Sequence, residues 1–557
     1  MKIVECVPNF SEGRDHNKIK IITDAISSVS GISLLDVDPG ADTNRTVVTF
    51  VGEPDNVIEA AFQAIKTAAS VLDMRLHHGA HARMGATDVC PFVPVANITM
   101  EECVLLSQRL AKRVGNELNI PVFLYENSAS KPDRQNLANV RSGEYEGMAT
   151  KLKDPEWHPD FGPVVMDEKA GVTAIGAREF LVAYNVNLNT QSKAIASDIA
   201  LDIREAGRRA RNEEGKFISD EEGNPVMTLG KLKFVKAVGW YIDEYQIAQL
   251  SMNLTNYKIT PVHSAFEESR EQARLRGVRV TGSELVGLIP LQAILDAGIY
   301  YLQKQNRSIG IPTEDIIHIA VKSLGLDDLS PFDPKEKIIE YQIGHEFGSL
   351  ATMSIDKFMD ELSRESPAPG GGSVSALAGS LGAALAAMVS NLTTGKKKFR
   401  GVFDKMQTLG IQGQELKVRL LKLIDEDTNA FNEVMNAYRL PAGDKDETAK
   451  KEQAIEMANQ HATNIPFQVV KACAEVMTLA TQAASFGNPN SVSDAGVAGE
   501  MAHAGAHGAA LNVIINLNSI SEENFCNSMR QNTEQILQAV DNDLASLRQI
   551  VNGKLNN

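Results

Sequence analysis

Cysteine is scarce and follows no pattern. The chain of 557 residues holds five, Cys6, Cys90, Cys103, Cys473 and Cys526, with no CxxC pair among them. An odd number without a recurring spacing argues against a disulfide framework and a zinc knuckle, and makes reduced thiols in an intracellular setting the expectation. The opening MKIVECVPNF lacks the apolar run and small-residue cleavage site of a secretory signal, so a cytoplasmic location is expected. Positive charge is also short. With 55 Lys and Arg against 71 Asp and Glu the net charge is -16, so broad attraction to nucleic acid or anionic lipid is not expected. In one place charge is missing altogether, from Ser366 to Gly395. That length could cross a bilayer, but PAPGGGSVSALAGSLGAALAAMVSNLT is mostly Ala, Gly and Ser, which favours a buried helix over a membrane span.

What is present is ordinary for a globular protein: 43% hydrophobic and 23% charged residues. Single cores stop growing at roughly 250–300 residues, so at least two domains are required. Composition changes around LGLDDLSPFDPKEKIIEYQIGHEFGS, which reads as a linker over 327–352. Before it, β-branched runs alternate with amphipathic stretches; after it, over 353–557, Ala-rich helical patterns dominate. The first half repeats itself. Strands at Lys2–Val7, Ile32–Val37, Thr46–Val51 and Asp88–Val95 with helices near Asn17–Val29 and Asn56–Leu72 give β-α-β-β-α-β. A second pass runs through Phe180–Val186, Lys193–Arg211, Phe234–Trp240, Gln246–Leu254, Val262–Arg276 and Val278–Val286. The expected fold is thus an α+β amino-terminal half of two ferredoxin-like subdomains, 1–178 and 179–326, and an all-α carboxy-terminal domain. A cleft between the two repeats is the natural place for a ligand.

The loop LHHGAHARMGATDVCPFVPV gathers His77, His78 and His81 with Arg75 and Arg83. Three histidines in five residues could ligate a metal, serve as proton carriers, or simply pack; the loop has no HExxH-type ligand spacing. The segments VECVPNFSEG (4–13), LLDVDPGADTNRTVVTFVG (34–52), HARMGATDVCPFVPV (81–95), WHPDFGP (157–163) and GAREFLVAYNVNL (176–188) closely resemble glutamate formimidoyltransferase, in order, across the first half. The resemblance implies that His81 is the catalytic histidine, Asp38 an acidic partner near it, and Gly162–Gly171, including Pro163, the folate-binding segment. Two departures stand out: Ala170 replaces a common aromatic residue, and Ala82 a usual proline. The chemistry agrees, because N5 of the folate must lose a proton as it attacks the formimidoyl carbon and imidazole titrates near neutral pH. A carboxylate such as Asp38 could hold the tautomer. Arg45, at a strand entrance, could clamp a substrate carboxylate or be an exposed strand-end charge.

In the second half, Gly370, Gly371 and Gly372 precede a helix, where backbone N–H groups can approach an anion or a flat ring; Gly379, Ala383 and Ala387 make a flat packing face along it. In LIDEDTNAFNEVMNAY the residues Ile424, Phe431, Val434, Met435 and Tyr438 form an apolar stripe, and Asp427 falls inside it while Asp425 and Glu426 fall outside. A carboxyl on a buried face has its pKa raised toward the range where it can pass protons, or else is paired with a lysine or caps a helix. PGGGSVSAL (369–377), TGKKKF (394–399), DEDTNAF (425–431), GNPNSVSD (487–494) and NVIINL (512–517) resemble formimidoyltetrahydrofolate cyclodeaminase. This implies that Asp427 is the catalytic acid and base, with Asp425 the alternative in a shifted register. Lys396, Lys397, Lys398 and Arg400 make a basic cluster that either attracts a folate glutamate tail or is a solvated loop. His503 and His507 sit one helical turn apart, but the sequence shows no third metal ligand, and packing or solvent-facing roles are expected.

Together the resemblances imply a fused enzyme that moves a formimidoyl group from N-formimidoyl-L-glutamate to tetrahydrofolate and closes it to 5,10-methenyltetrahydrofolate with loss of ammonia. Tetrahydrofolate, with or without a polyglutamate tail, is then a co-substrate, and no metal is required. Other readings are a helical half that only binds folate and oligomerises, and a metal-dependent hydrolase built on the histidine loop. Ala- and Gly-lined helices bury little area each, so self-association through the helical half is expected; octameric rings occur in the fused enzymes it resembles.

Overall fold

The computed structural model describes residues 2–41, 44–79, 82–343 and 348–556. Two compact units result, one formed by Met1–Ala297 with Leu324–Gly344, the other by Gly298–Ser323 with His345–Asn557. The stretch read as a linker therefore contributes to both, and contains the short helices Pro334–Lys337 and Ile339–Ile343.

In the first unit, the strands Ile32–Gly40, Arg45–Gly52, Ile3–Cys6 and Thr87–Ala96 lie side by side in that order, all antiparallel. This is the β-α-β-β-α-β arrangement with the first and third strands paired in the middle. The sheet is then extended by Thr173–Ala177 and Val122–Glu126 in parallel, which the repeat in the sequence does not announce. Asn9–Phe10 fills the gap between Arg45–Gly52 and Thr87–Ala96. Three helices cover one face and begin as their sequences dictate. Asp15 accepts from the N–H groups of Asn17 and Lys18 to start His16–Ser27. Pro54 opens Pro54–Val71, and Thr99 and Glu102 close a capping box on Met100–Glu117. Phe10, Phe50, Phe92 and Ile65 are buried beneath them.

The second repeat gives a four-stranded antiparallel sheet in the order Val235–Ile242, Ile247–Leu254, Val182–Leu188, Val280–Val286, with helices Lys193–Ile203 and Val262–Leu275. Its first helix stops eight residues short of the expected Arg211. Gly207 has a φ of +63° and a Cβ there would meet the Thr228 carbonyl, so the chain turns at this point into the pair Arg208–Arg209 and Met227–Thr228.

Five long helices make up most of the second unit: Gly371–Thr394, Phe403–Tyr438, Lys445–Phe486, Val492–Asn516 and Glu523–Leu555. Gly371–Thr394 is the uncharged stretch; it is long and apolar enough to cross a membrane, but here it is largely buried among its neighbours. Small residues allow this. A Cβ at Gly379 would strike Cys473 Sγ, one at Gly382 the Ala498 carbonyl, and one at Gly413 would crowd Ala387. Pro466, buried within the third long helix, removes one backbone donor, and the carbonyl this frees at Ala462 accepts instead from Asn516 Nδ2 at 2.8 Å.

Candidate active sites

The first site is built on the sheet face away from the three helices. Asp38, Val47, Asn9 and Val89 share a row across neighbouring strands, because directly opposed residues point to the same side. Asp38 is exposed at the edge of this row. Arg45 is not a free strand-end charge: its Nε and Nη2 donate to Asn9 Oδ1 at 3.0 and 2.7 Å, and its Nη1 to Asp88 Oδ2. Asp88 is 0% exposed, accepts also from Arg141 Nη2, and takes the Met84 N–H at 3.0 Å on its other oxygen. Burial lowers the pKa of Arg45 and the Asp88 charge works against that fall. Two guanidinium groups thus share one buried carboxylate, leaving a surplus positive charge beneath the site. Arg141 Nε, shielded from solvent, has no hydrogen-bond partner among the described residues.

The histidine loop is anchored from both ends. Asn44 accepts the Gly13 N–H at 2.9 Å and donates to the His78 carbonyl at 3.0 Å. His77 is buried, with Nε2 2.8 Å from the Asn44 carbonyl and Nδ1 accepting from Arg83 Nε at 3.3 Å. Nε2 therefore carries the proton, and burial, the largest effect, lowers the pKa of the ring. Both ring nitrogens being engaged, His77 is no metal ligand in this arrangement. Arg83 continues to Glu146 and Glu144. His78 is exposed, and His81 lies outside the described residues.

Gly162–Gly171 runs back to this loop. The N–H of Ala86 bonds the Ala170 carbonyl at 2.8 Å, that of Val172 the Met84 carbonyl at 3.0 Å, and that of Met74 the Lys169 carbonyl at 3.0 Å. Gly171, with φ +75°, packs against Met84 and Gly85 so closely that a Cβ would sit 2.4 Å from the Met84 carbonyl oxygen. Gly162 is likewise pressed on Ile120, with Pro163 half-buried and Val164 and Val165 exposed beyond it. Ala170 is buried in the helix-covered core and offers no aromatic face to a ligand.

In the second unit, the motifs distant in sequence meet at the amino-terminus of Gly371–Thr394. Asp427 Oδ2 accepts from Ser373 Oγ at 3.0 Å, and the same hydroxyl lies 3.0 Å from the Ile424 carbonyl. A Cβ at Gly372 would collide with the Asp427 carboxylate, and one at Gly371 would touch the Asn512 amide. The glycines are thus needed to bring backbone against the acid. Burial raises the pKa of Asp427, and the Ser373 hydroxyl and N–H pull less strongly the other way. The burial does not come from the whole stripe expected from periodicity: Ile424 is buried, but Met435 and Tyr438 are exposed. Asp425 has a different task, accepting the N–H groups of Leu350 and Ala351 at 2.9 and 3.0 Å.

A cavity of about 670 Å³ in the same unit is lined by Arg307, Lys396, Lys397, Arg400, Phe403 and Asp404 among others. The basic cluster is therefore a wall, and Arg307 is the member that sequence reading missed.

Family models match nearly the entire length: "Formiminotransferase domain, N-terminal subdomain" over residues 3–178, "Formiminotransferase domain" over 183–344 and "Formiminotransferase-cyclodeaminase" over 354–535. A formimidoyltransferase-cyclodeaminase of Dictyostelium discoideum is 43% identical over 556 residues, 99% of both chains. The chain belongs to the formimidoyltransferase-cyclodeaminase family. A glutamate formimidoyltransferase of Streptococcus pyogenes serotype M1 is 46% identical over 305 residues, 55% of this chain and 95% of that protein. A methenyltetrahydrofolate cyclohydrolase of Methylorubrum extorquens is 39% identical over 184 residues, 33% of this chain and 88% of that protein.

One further acid in this family member bears on stability. Glu5, on the same sheet face as Asn9, is 3% exposed and its pKa is pushed up to about 7, chiefly by burial, with Arg178 lowering it and Glu340 raising it. A folded pKa above the ordinary 4.5 means that the fold favours the protonated form. That stability is complete below the ordinary value and is lost as pH rises to about 7. Glu5→Gln should flatten this slope and, at pH 8, stabilise the first unit by on the order of 3 kcal/mol. Urea unfolding at pH 5 and pH 8 checks it; a variant weaker than the parent at pH 8 contradicts the reading.

Proposed function

We propose that this chain transfers the formimidoyl group of N-formimidoyl-L-glutamate to N5 of tetrahydrofolate and then cyclises the product to 5,10-methenyltetrahydrofolate, releasing ammonia. The observation that carries the reading is the seating of the Asp427 carboxyl against Gly372 and Ser373, with Asn512 beside Gly371, in a chain that matches fused family members end to end.

In the first unit, His81 takes the proton from N5 as it attacks the amidine carbon, and returns a proton to the departing glutamate nitrogen. Asp38 stands on the edge of the same sheet face as its acidic partner. The surplus positive charge of the Arg45–Asp88–Arg141 group suits the glutamate carboxylates. Arg45 acts by fixing Asn9 and Asp88 as much as by touching substrate. The segment from Gly162 and Pro163 to Gly171 offers the folate its backbone and the apolar Val164 and Val165, with no aromatic ring from Ala170.

In the second unit, ionised Asp427 accepts the N10 proton as N10 attacks the same carbon, then delivers it to the leaving nitrogen. Gly370, Gly371 and Gly372 let the pterin approach the helix terminus, and Lys397 with its neighbours and Arg307 receive the anionic tail. None of these steps calls for a metal. Apolar side chains exposed at seven-residue spacing on the first long helix, Val374, Leu381 and Met388, support self-association of this unit, up to an octamer. The five free, buried thiols support a cytoplasmic location.

Incubating the purified chain with formimidoylglutamate and tetrahydrofolate tests the proposal. Methenyl absorbance and ammonia should rise together in equal amounts. Transfer without ammonia would leave the helical unit a binding module and defeat the second half of the reading.

A further inference from the structure

The fourth and fifth long helices bring together three groups that neither proposed reaction uses. His503 and His507 lie one turn apart on Val492–Asn516, and their Nε2 atoms approach the same oxygen, Asp541 Oδ1, at 2.9 and 2.8 Å. The rings lie side by side, tilted by 35° with centroids 4.3 Å apart, and the three candidate ligand atoms lie within 4.8 Å of one another. The sequence hides this third group, because Asp541 is on the next helix, 34 residues beyond His507.

We propose that His503, His507 and Asp541 form a binding site for a divalent transition-metal ion of the zinc class. Two imidazoles and a carboxylate are the borderline donors such ions take, and a helical pair four residues apart presents both nitrogens on one side. Without a cation, both rings must spend a proton on one carboxylate oxygen. A metal replaces both protons and takes all three groups. At metal–ligand distances near 2.0–2.2 Å, donor atoms around a tetrahedral ion stand about 3.3 Å apart, so the two contacts to Asp541 need to open by about half an ångström while the ring nitrogens, within 4.8 Å of each other, settle to the same spacing. Asp541, with a side chain 53% exposed, has the freedom to do that.

The site also borders a hollow. His507 and Asp541 form part of the wall of a cavity of about 560 Å³ with Arg530, Thr533, Glu534 and Leu537. Thr533 is 2% exposed and its Oγ1 has no hydrogen-bond partner among the described residues. The ion would sit at the rim of a hollow able to hold a water or a small oxygen ligand. Nearby charges are balanced: Glu500 is engaged by Arg548 on both oxygens at 2.7 Å, leaving the histidines to Asp541.

Cobalt(II) titration of the chelator-treated full chain, followed by its visible absorption and by displacement with zinc, tests the site. The parent should bind one equivalent that His503→Gln/His507→Gln lacks. Asp541→Asn, which keeps the side-chain shape, should weaken this equivalent by at least about 10-fold, since even outer groups of metal sites contribute 10–100-fold. Circular dichroism checks that the exposed substitutions leave the helices intact. Equal stoichiometry and affinity in the parent and the double variant would overturn the proposal; so would binding indifferent to Asp541. Neither result touches the transfer and cyclisation assay.

Discussion

Replacing Asp427 by asparagine is expected to slow ammonia release from 5-formimidoyltetrahydrofolate by about 10²–10⁴-fold, the range spanned by positioned proton carriers. Transfer from formimidoylglutamate should stay within about twofold of the parent, as general acid–base chemistry in one unit does not draw on the other. The substitution is close to isosteric and keeps an oxygen for Ser373 Oγ and its N–H, so packing against Gly372 survives. What disappears is the exchangeable proton. Stability separates this from unfolding. The folded pKa of Asp427 is raised, so the protonated carboxyl is the form that the fold favours. Its contribution is full below the unfolded value and fades as pH climbs through the folded one. At pH 8 the variant should therefore be at least as stable as the parent by urea unfolding. An acid limb in the parent's rate profile, absent from the variant, is the companion signature. Ammonia release that survives Asp427→Asn but not Asp425→Asn would move the role two residues back; the Leu350 and Ala351 N–H groups already held by Asp425 argue against that.

His81→Ala is expected to lower formimidoyl transfer by a similar 10²–10⁴-fold while leaving cyclisation of added 5-formimidoyltetrahydrofolate unchanged. The reason to expect a clean effect is the anchoring on either side. Asn44 holds the His78 carbonyl, and Arg83 joins His77 to Glu146, so the loop's fixed points do not depend on the ring that is removed. Single-turnover mixing of the full-length variant with formimidoylglutamate and tetrahydrofolate, followed by the glutamate released, reads the step directly. Near-normal turnover by the folded variant would remove His81 from the mechanism and turn attention to the exposed His78.

Both ferredoxin-like repeats are legible in the sequence because strand alternation and helical periodicity are local signals: Thr46, Val48 and Phe50 face one way, and the helices near Asn17–Val29 and Asn56–Leu72 follow their apolar period, whereas Met100–Glu117 goes unread despite its Thr99 capping box. The parallel extension by Val122–Glu126 and Thr173–Ala177 is not legible, since pairing across some 50 residues leaves no period behind. Site residues divide the same way. Asp427 showed itself as an acid on an apolar stripe, although the far end of that stripe turned out to be exposed. Asp88, Arg141 and Glu5 were invisible, for their meaning comes from partners tens of residues away: Arg141 is 53 positions from Asp88. Arg45 was noticed for its charge, but its engagement by Asn9 and Asp88 depends on a strand order that no single segment encodes. The metal expectation changed for the same reason, once Asp541 joined His503 and His507.

The Asp425 clamp has a further consequence. It fastens the incoming backbone at Leu350 and Ala351 to the very helix turn that carries Asp427, two residues on. A shift of the backbone at Leu350 and Ala351 would thus be felt as a tilt of Asp427 against Gly372. Asp425→Asn, which loosens that fastening while leaving Asp427 in place, is thus a way to ask how far the seating of one carboxyl depends on backbone a helix turn away.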